Sequence, residues 1–275
     1  MPLAGAWERR THEALLDFFE SLPDGQQDYR SAVRDLACSI YAKSADPGAR
    51  YFVDKSPPYF LISKELFATF PAAKFLFLWR SPLSTVASIV ETLGGGRWDP
   101  RQFGTTLFDG QAALIDAFLE HRERVHAVRF EDLVVGDEEV WRSMFAYLDL
   151  EWDERVLSGF ADVRLQGRLG DPTGVKRYQR FSTEPLTKWH TTFRSPARKW
   201  WGRRYVQWLG RERLASMGYD HDTLLGELAE TPTDNSTLIE DATLLLRSAV
   251  IEILRPRLLG PGPASTWRAI LQPAE

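Results

Sequence analysis

The residues best placed to do chemistry gather around one arginine. Arg80 closes the apolar run Lys74-Phe75-Leu76-Phe77-Leu78-Trp79, and Ser81-Pro82 follows it. A continuous run of this length predicts a strand buried on both faces, as in a parallel sheet. Ser81 is a good N-cap residue and Pro82 suits the first helical position, so a helix starts directly after the strand. Ser81, Ser84 and Ser88 are spaced i, i+3, i+7 and share one face of that helix. In open α/β sheets ligands bind at the carboxyl ends of the strands. A guanidinium, a row of hydroxyls and the unpaired N–H groups of a helix start can together hold a phosphate. Taken alone, the same residues also allow a plainer reading: a helix cap, solvent-facing serines and a surface arginine.

The elements that must position Arg80 follow from the pattern around it. Tyr51-Phe52-Val53 reads as a short buried strand ending in the loop Asp54-Lys55-Ser56-Pro57-Pro58, because the prolines cannot continue a central strand. Ile62, Leu66, Phe67 and Phe70 mark a helix stopped by Pro71, and Leu83, Val86, Ala87 and Val90 mark the buried stripe of the helix after Arg80. A helix with Leu114, Ile115, Phe118 and Leu119 leads to a third strand, Val125 to Phe130. Glu131-Asp132-Leu133 closes that strand, and a helix capped by Asp137 follows. Strand and helix alternating three times predict an α/β fold with a parallel sheet flanked by helices. Ahead of Tyr51, apolar spacing predicts two helices separated by Pro23-Asp24-Gly25. Residues 164–190 read as a basic loop, and a tryptophan-rich helical region follows, ending at Met217-Gly218-Tyr219. We expect one α/β domain over 1–220, then a linker and a C-terminal amphipathic helix within 221–275, running roughly from Ser236 to Leu254 and packing on the core.

Composition narrows the classes. The chain has 275 residues, 44% hydrophobic and 26% charged, which is ordinary for a globular protein and excludes disorder throughout. A formal net charge of −4 gives no basic field for nucleic acid, so an anionic ligand must be held by a few placed cations. Cys38 is the only cysteine, which excludes an intramolecular disulfide and a cysteine-based metal cluster, and no metal is expected. No apolar stretch is long enough to span a membrane and no export signal opens the sequence, so the expected location is cytoplasmic.

Several pieces in order resemble the sulfotransferase family that uses 3′-phosphoadenosine 5′-phosphosulfate (PAPS). They are Asp54-Lys55-Ser56-Pro57, then Phe75 to Pro82 with Val86-Ala87-Ser88, then Val128-Arg129-Phe130-Glu131-Asp132-Leu133, and finally Gly170-Asp171-Pro172 with basic residues after it. Phe130 stands where the family usually has tyrosine, and the Arg-Lys-Gly spelling of the late loop is missing. The resemblance covers roughly residues 50–220. It implies a P-loop nucleotide-kinase-like sulfotransferase fold and transfer of a sulfuryl group from PAPS to a hydroxyl or amine of a small-molecule or glycan acceptor. It also implies site residues. Arg80 and Ser88 match the pair that binds the 3′-phosphate, Lys55 a lysine facing the transferred group, and Phe130 an aromatic ring on the adenine. Arg168, Lys176 and Arg177 could reach the phosphate from the late loop. Each residue type also occurs in plainer settings: a solvated lysine, a core phenylalanine, a solvated basic loop. Glu131-Asp132 does not read as a catalytic carboxylate pair, because adjacent residues at a strand end point apart, and one of the two is expected to cap or orient neighbouring backbone.

Two departures qualify the resemblance. No strand, glycine- and serine-containing loop and helix precede Tyr51, so the segment that would wrap the 5′-phosphosulfate is expected upstream of Met1, and with it one central strand. Pro57 stands where animal cytosolic members carry a catalytic histidine, which leaves Asp54, Glu91 and Asp109 as conceivable bases. An alternative is therefore a shortened, catalytically inactive relative with at most a weak nucleotide site. A P-loop kinase would need a Mg²⁺-binding Ser or Thr after a Walker lysine, and the sequence has none.

Overall fold

The structure is a computed structural model that describes residues 13–159, 182–241 and 243. A helical stretch over 13–20 and α1 (Gln26–Ser44) come first, separated as expected at Gly25, whose φ of 59° suits only glycine without strain. A 3₁₀ segment, Pro57–Ile62, leads into α2 (Ser63–Thr69). β1 (Phe75–Trp79) is followed by α3 (Pro82–Thr92), a π-helical turn Thr105–Gly110 and α4 (Gln111–Glu120). β2 (Val125–Arg129) runs into the short α5 (Phe130–Val134), then α6 (Glu138–Tyr147). After the undescribed stretch come α7 (Glu184–Thr187), α8 (Trp189–Thr192), α9 (Pro196–Ser216) and α10 (His221–Glu230).

The fold is a mostly helical α/β arrangement with a small parallel sheet. Among the described residues β1 pairs only with β2, from Phe75 opposite Val125 to Trp79 opposite Arg129. The crossover between them carries α3 and α4, which cover one face of the sheet. Tyr147 locks the start of this pair: its hydroxyl accepts from the Phe75 N–H (2.9 Å) and donates to the Arg124 carbonyl (2.8 Å). On the covered face Phe77 and Trp79 pack against Phe118, with ring centroids 5.9 and 5.5 Å apart. Leu83, Val86 and Val90 on α3 are buried in the same core, as their spacing predicts, together with Ile115, Tyr205, Val206 and Leu209. α9 approaches so closely at Gly202 that an added Cβ would lie 2.7 Å from the Phe193 ring.

Three expectations are corrected. Tyr51-Phe52-Val53 forms no strand: it lies outside any ladder, with Val53 83% exposed. Its apolar character goes instead into side-chain contacts, the Phe52 ring stacking on Tyr41 and the Tyr51 hydroxyl donating to the Leu148 carbonyl. β1 is buried on one face only, since Leu76 and Leu78 alternate outward and are 43% and 55% exposed. A continuous apolar run cannot by itself show which face a helix covers. Ser81 holds the N-cap position of α3 but its side chain makes no cap bond. Asp137, by contrast, caps α6 as expected, accepting from the Glu139 and Val140 N–H groups.

Candidate functional site

Arg80 follows the carboxyl end of β1 just before α3, and Phe130 follows the carboxyl end of β2 as the first residue of α5. Parallel in-register pairing sets these two ends side by side. The Arg80 guanidinium lies over the Phe130 ring, 4.7 Å from its centroid, a cation–π arrangement that fixes the plane of the fork. Its Nη2 also reaches the Pro185 carbonyl of α7 at 3.5 Å. Arg80 is half-buried, which suits a cation meant to meet an anion at a cleft rather than in bulk water.

The start of α3 is held by a residue from β2's end. Glu131 Oε1 accepts from the Ser81 N–H at 2.9 Å, and Oε2 accepts from the Tyr219 hydroxyl at 2.6 Å. One carboxylate therefore satisfies the backbone N–H of the N-cap residue itself, the bond that the N3 carboxylate makes in a capping box. Burial, and then this hydrogen bond, raises the Tyr219 hydroxyl well above the usual tyrosine range. Asp132 points elsewhere and forms a two-pronged pair with Arg129, at 2.8 and 2.6 Å. Arg129 also donates to the Gly218 carbonyl at 3.1 Å, so the pair ties β2 to the end of α9. Of the two, Glu131 takes the backbone-orienting role expected of one of them, and Asp132 holds a side chain. Tyr219 and Lys188 escaped sequence reasoning, because their partners lie 88 and 97 residues away and no local pattern marks such distant contacts.

The other sequence-derived residues are placed as follows. Ser88 is half-buried on α3, on the serine face, with Ser84 fully buried one turn earlier. Lys55 is exposed, on the irregular segment before Pro57. Its neighbour Asp54 is clamped, Oδ2 accepting from the hydroxyls of Tyr41 and Tyr59. Of the other conceivable bases, Glu91 is ion-paired with Lys188, and Asp109 is exposed in the π-helical turn. Arg168, Lys176 and Arg177 lie outside the described residues. Among the described residues, no group of His, Cys, Asp and Glu could hold a metal ion and no helix is long and apolar enough to cross a membrane.

A half-buried cation stacked at a strand end and followed by a helix start has the chemistry to meet an anion. The profile of the sulfotransferase family matches residues 4–154, more than half of the chain, and this chain belongs to that family. The protein-tyrosine sulfotransferase of Drosophila melanogaster is 30% identical over 135 residues, which cover 46% of this chain and 26% of that protein. The chain thus matches about a quarter of that relative's length. Among solved structures, a sulfotransferase domain from the curacin biosynthetic pathway aligns with a TM-score of 0.45 and 22% identity, over 58% of this chain and 61% of that one.

Proposed function

We propose that this chain binds PAPS and transfers its sulfuryl group to a hydroxyl or amine acceptor, with Arg80 and Ser88 holding the 3′-phosphate. The observation that supports this most directly is the Arg80 guanidinium, held over Phe130 where β1 and β2 end together. The adenosine 3′-phosphate end of PAPS fits these residues: a charged fork for the phosphate, a serine face along α3, and an aromatic ring at the neighbouring strand end. When bound, PAPS supplies the activated sulfuryl group on its 5′-phosphate.

The chain's own residues supply position and charge. Arg80 gives charge-assisted hydrogen bonds, and its orientation is set before the ligand arrives, so less ordering entropy is lost on binding. Glu131 and Tyr219 keep the first turn of α3 aimed at the same point. Lys55 offsets negative charge on the bridging oxygen as the sulfuryl group departs. Asp54 stands next to Lys55 with two tyrosine hydroxyls on Oδ2, and Oδ1 takes the acceptor's proton. A phenolic hydroxyl is the first acceptor to try, since the Drosophila relative is named for tyrosine.

The test is a calorimetric titration with 3′-phosphoadenosine 5′-phosphate (PAP), beside a sulfate-transfer assay. Arg80→Ala should weaken PAP about tenfold to a hundredfold, the worth of one charge-assisted hydrogen bond. Lys55→Ala should leave PAP affinity in place and lower transfer. Failure of PAP to bind the unaltered chain would overturn the nucleotide reading. PAP binding without any transfer would leave the scaffold reading of a catalytically silent relative.

A further inference from the structure

At the far end of α3 from Arg80 lies a cavity of about 350 Å³, between the last turn of α3, the α7–α8 segment and the start of α9. Glu91, Lys188, Thr191, Ser195, Arg198 and Ser236 are among the residues that line it. We propose that this cavity is a second binding site, for a small organic oxyanion. It is independent of the nucleotide reading. Glu91 lies eleven residues beyond Arg80, about 15 Å of helical rise away.

Three observations carry the proposal. The first is Ser195, which is 2% exposed and whose Oγ has no hydrogen-bond partner among the described residues. It occupies the N-cap position of α9, where such a side chain normally turns back onto the helix, and it makes no cap bond. A buried hydroxyl without a partner is costly, so this one is set for something that enters the cavity. The second is the helix itself. The first turn of α9 (Pro196–Ser216) opens beside Ser195, and its uncapped N–H groups and positive dipole end favour an anion.

The third is the state of the charges around the cavity. Lys188 is already paired with Glu91. Arg198 is already paired with Asp241 at 2.8 Å, with side chains 9% and 0% exposed. These pairs frame the walls without flooding the cavity with charge. The exposed Arg194 adds one cation to the lining and Asp234 one carboxylate, which already accepts from the Ser236 N–H and hydroxyl, while Thr191 adds an exposed hydroxyl. Such a lining suits one oxyanion head with a short hydroxyl-bearing body. The volume agrees, since it stands near the lower end of the range of about 300–1,000 Å³ for small-molecule sites. A phosphate ester and a hydroxycarboxylate share this chemistry.

The experiment titrates the full chain with glycerol 3-phosphate and, separately, with malate, following heat and amide chemical shifts. At least one probe should bind and shift the amides at the start of α9. Ser195→Ala should weaken that binding about tenfold, the worth of one hydrogen bond to a charged group. The melting temperature should hold, because Oγ makes no bond in the free protein. Thr191→Val, at an exposed hydroxyl, provides a second weakening variant if Ser195→Ala proves unstable. Arg80→Ala, which should weaken PAP, should leave the affinity for these two probes as it is in the unaltered chain. A response to glycerol 3-phosphate alone assigns the site to phosphate esters, and a response to malate alone to carboxylates. Binding lost in Arg80→Ala but intact in Ser195→Ala would put the anion at the strand end and overturn the proposal. So would silence with both probes.

Discussion

Two regions of the molecule are built differently. On one side β1, α3, α4 and α9 bury a continuous core from Phe67 to Leu228, and Arg80 rises directly out of it. On the other side α1 buries no residue at all, and the segment bearing Lys55 is held through exposed side chains. The first side can hold a charged fork to a fraction of an ångström, because packed interiors resist displacement. The second side is held by few buried contacts and so opens at lower cost. In a transferase the ligand-holding half gains from rigidity, while the half that meets the acceptor gains from adjustment.

Matched pairs of similar groups across the two sides measure this difference. Ion pairs should show it most strongly. Asp241→Ala leaves the buried Arg198 unpaired and should cost about 3–5 kcal/mol. Glu65→Ala removes the partner of Arg30 on α1, where the two side chains are 23% and 54% exposed, and should cost no more than about 1 kcal/mol. Chemical denaturation of both variants checks the pair, and equal costs would break the comparison. Leucines come next. Leu83→Ala on α3 should cost about 2–5 kcal/mol through cavity formation at a fully buried site. Leu36→Ala on α1, at a position 64% exposed, should stay within about 0.5 kcal/mol. A large loss at Leu36 would show that this helix is packed in solution against something more than α2.

The same division explains what the sequence could convey. Helices α3, α4 and α6, strands β1 and β2, and the breaks at Gly25 and after Arg80 are all written in local periodicity and local turn chemistry. Arg80 and Phe130 could be placed from the ends of two parallel strands. Their mutual stacking could not, because it depends on which strands pair. Tyr51-Phe52-Val53 shows the limit most clearly. Three apolar β-formers describe a strand only if a neighbour supplies the hydrogen bonds, and β-propensity expresses packing context more than backbone preference. Glu131 is an intermediate case: its orienting role followed from its place at a strand end, and its target, the Ser81 N–H, required the fold.

The smallest expected effect is also the most specific, because both sides contain a tyrosine hydroxyl donated to a carboxylate. Tyr219 serves Glu131 at 2.6 Å in the packed half, and Tyr59 serves Asp54 at 2.6 Å on the exposed side. Tyr219→Phe should cost about 1.5 kcal/mol and Tyr59→Phe less than about 1 kcal/mol, since burial strengthens a hydrogen bond to a charge. Both hydroxyls are raised above the ordinary tyrosine value, Tyr219 chiefly by burial and Tyr59 chiefly by its bond to Asp54. The sign of the pH effect follows. Each bond contributes fully below the unfolded tyrosine value of about 10, and its contribution falls as pH rises from there through the folded value. The gap in stability between the unaltered protein and Tyr219→Phe should therefore be flat below about pH 10 and narrow above it. Function separates the two further. Without its hydroxyl at 219, Glu131 holds the start of α3 less firmly, so PAP affinity should fall. Loss of the hydroxyl at 59 leaves Asp54, beside Lys55, with Tyr41 alone on Oδ2, so turnover should change while PAP affinity holds. If both variants altered only turnover, Glu131 and Tyr219 would belong to the transfer step, and the division between a holding half and a reacting half would be drawn in the wrong place.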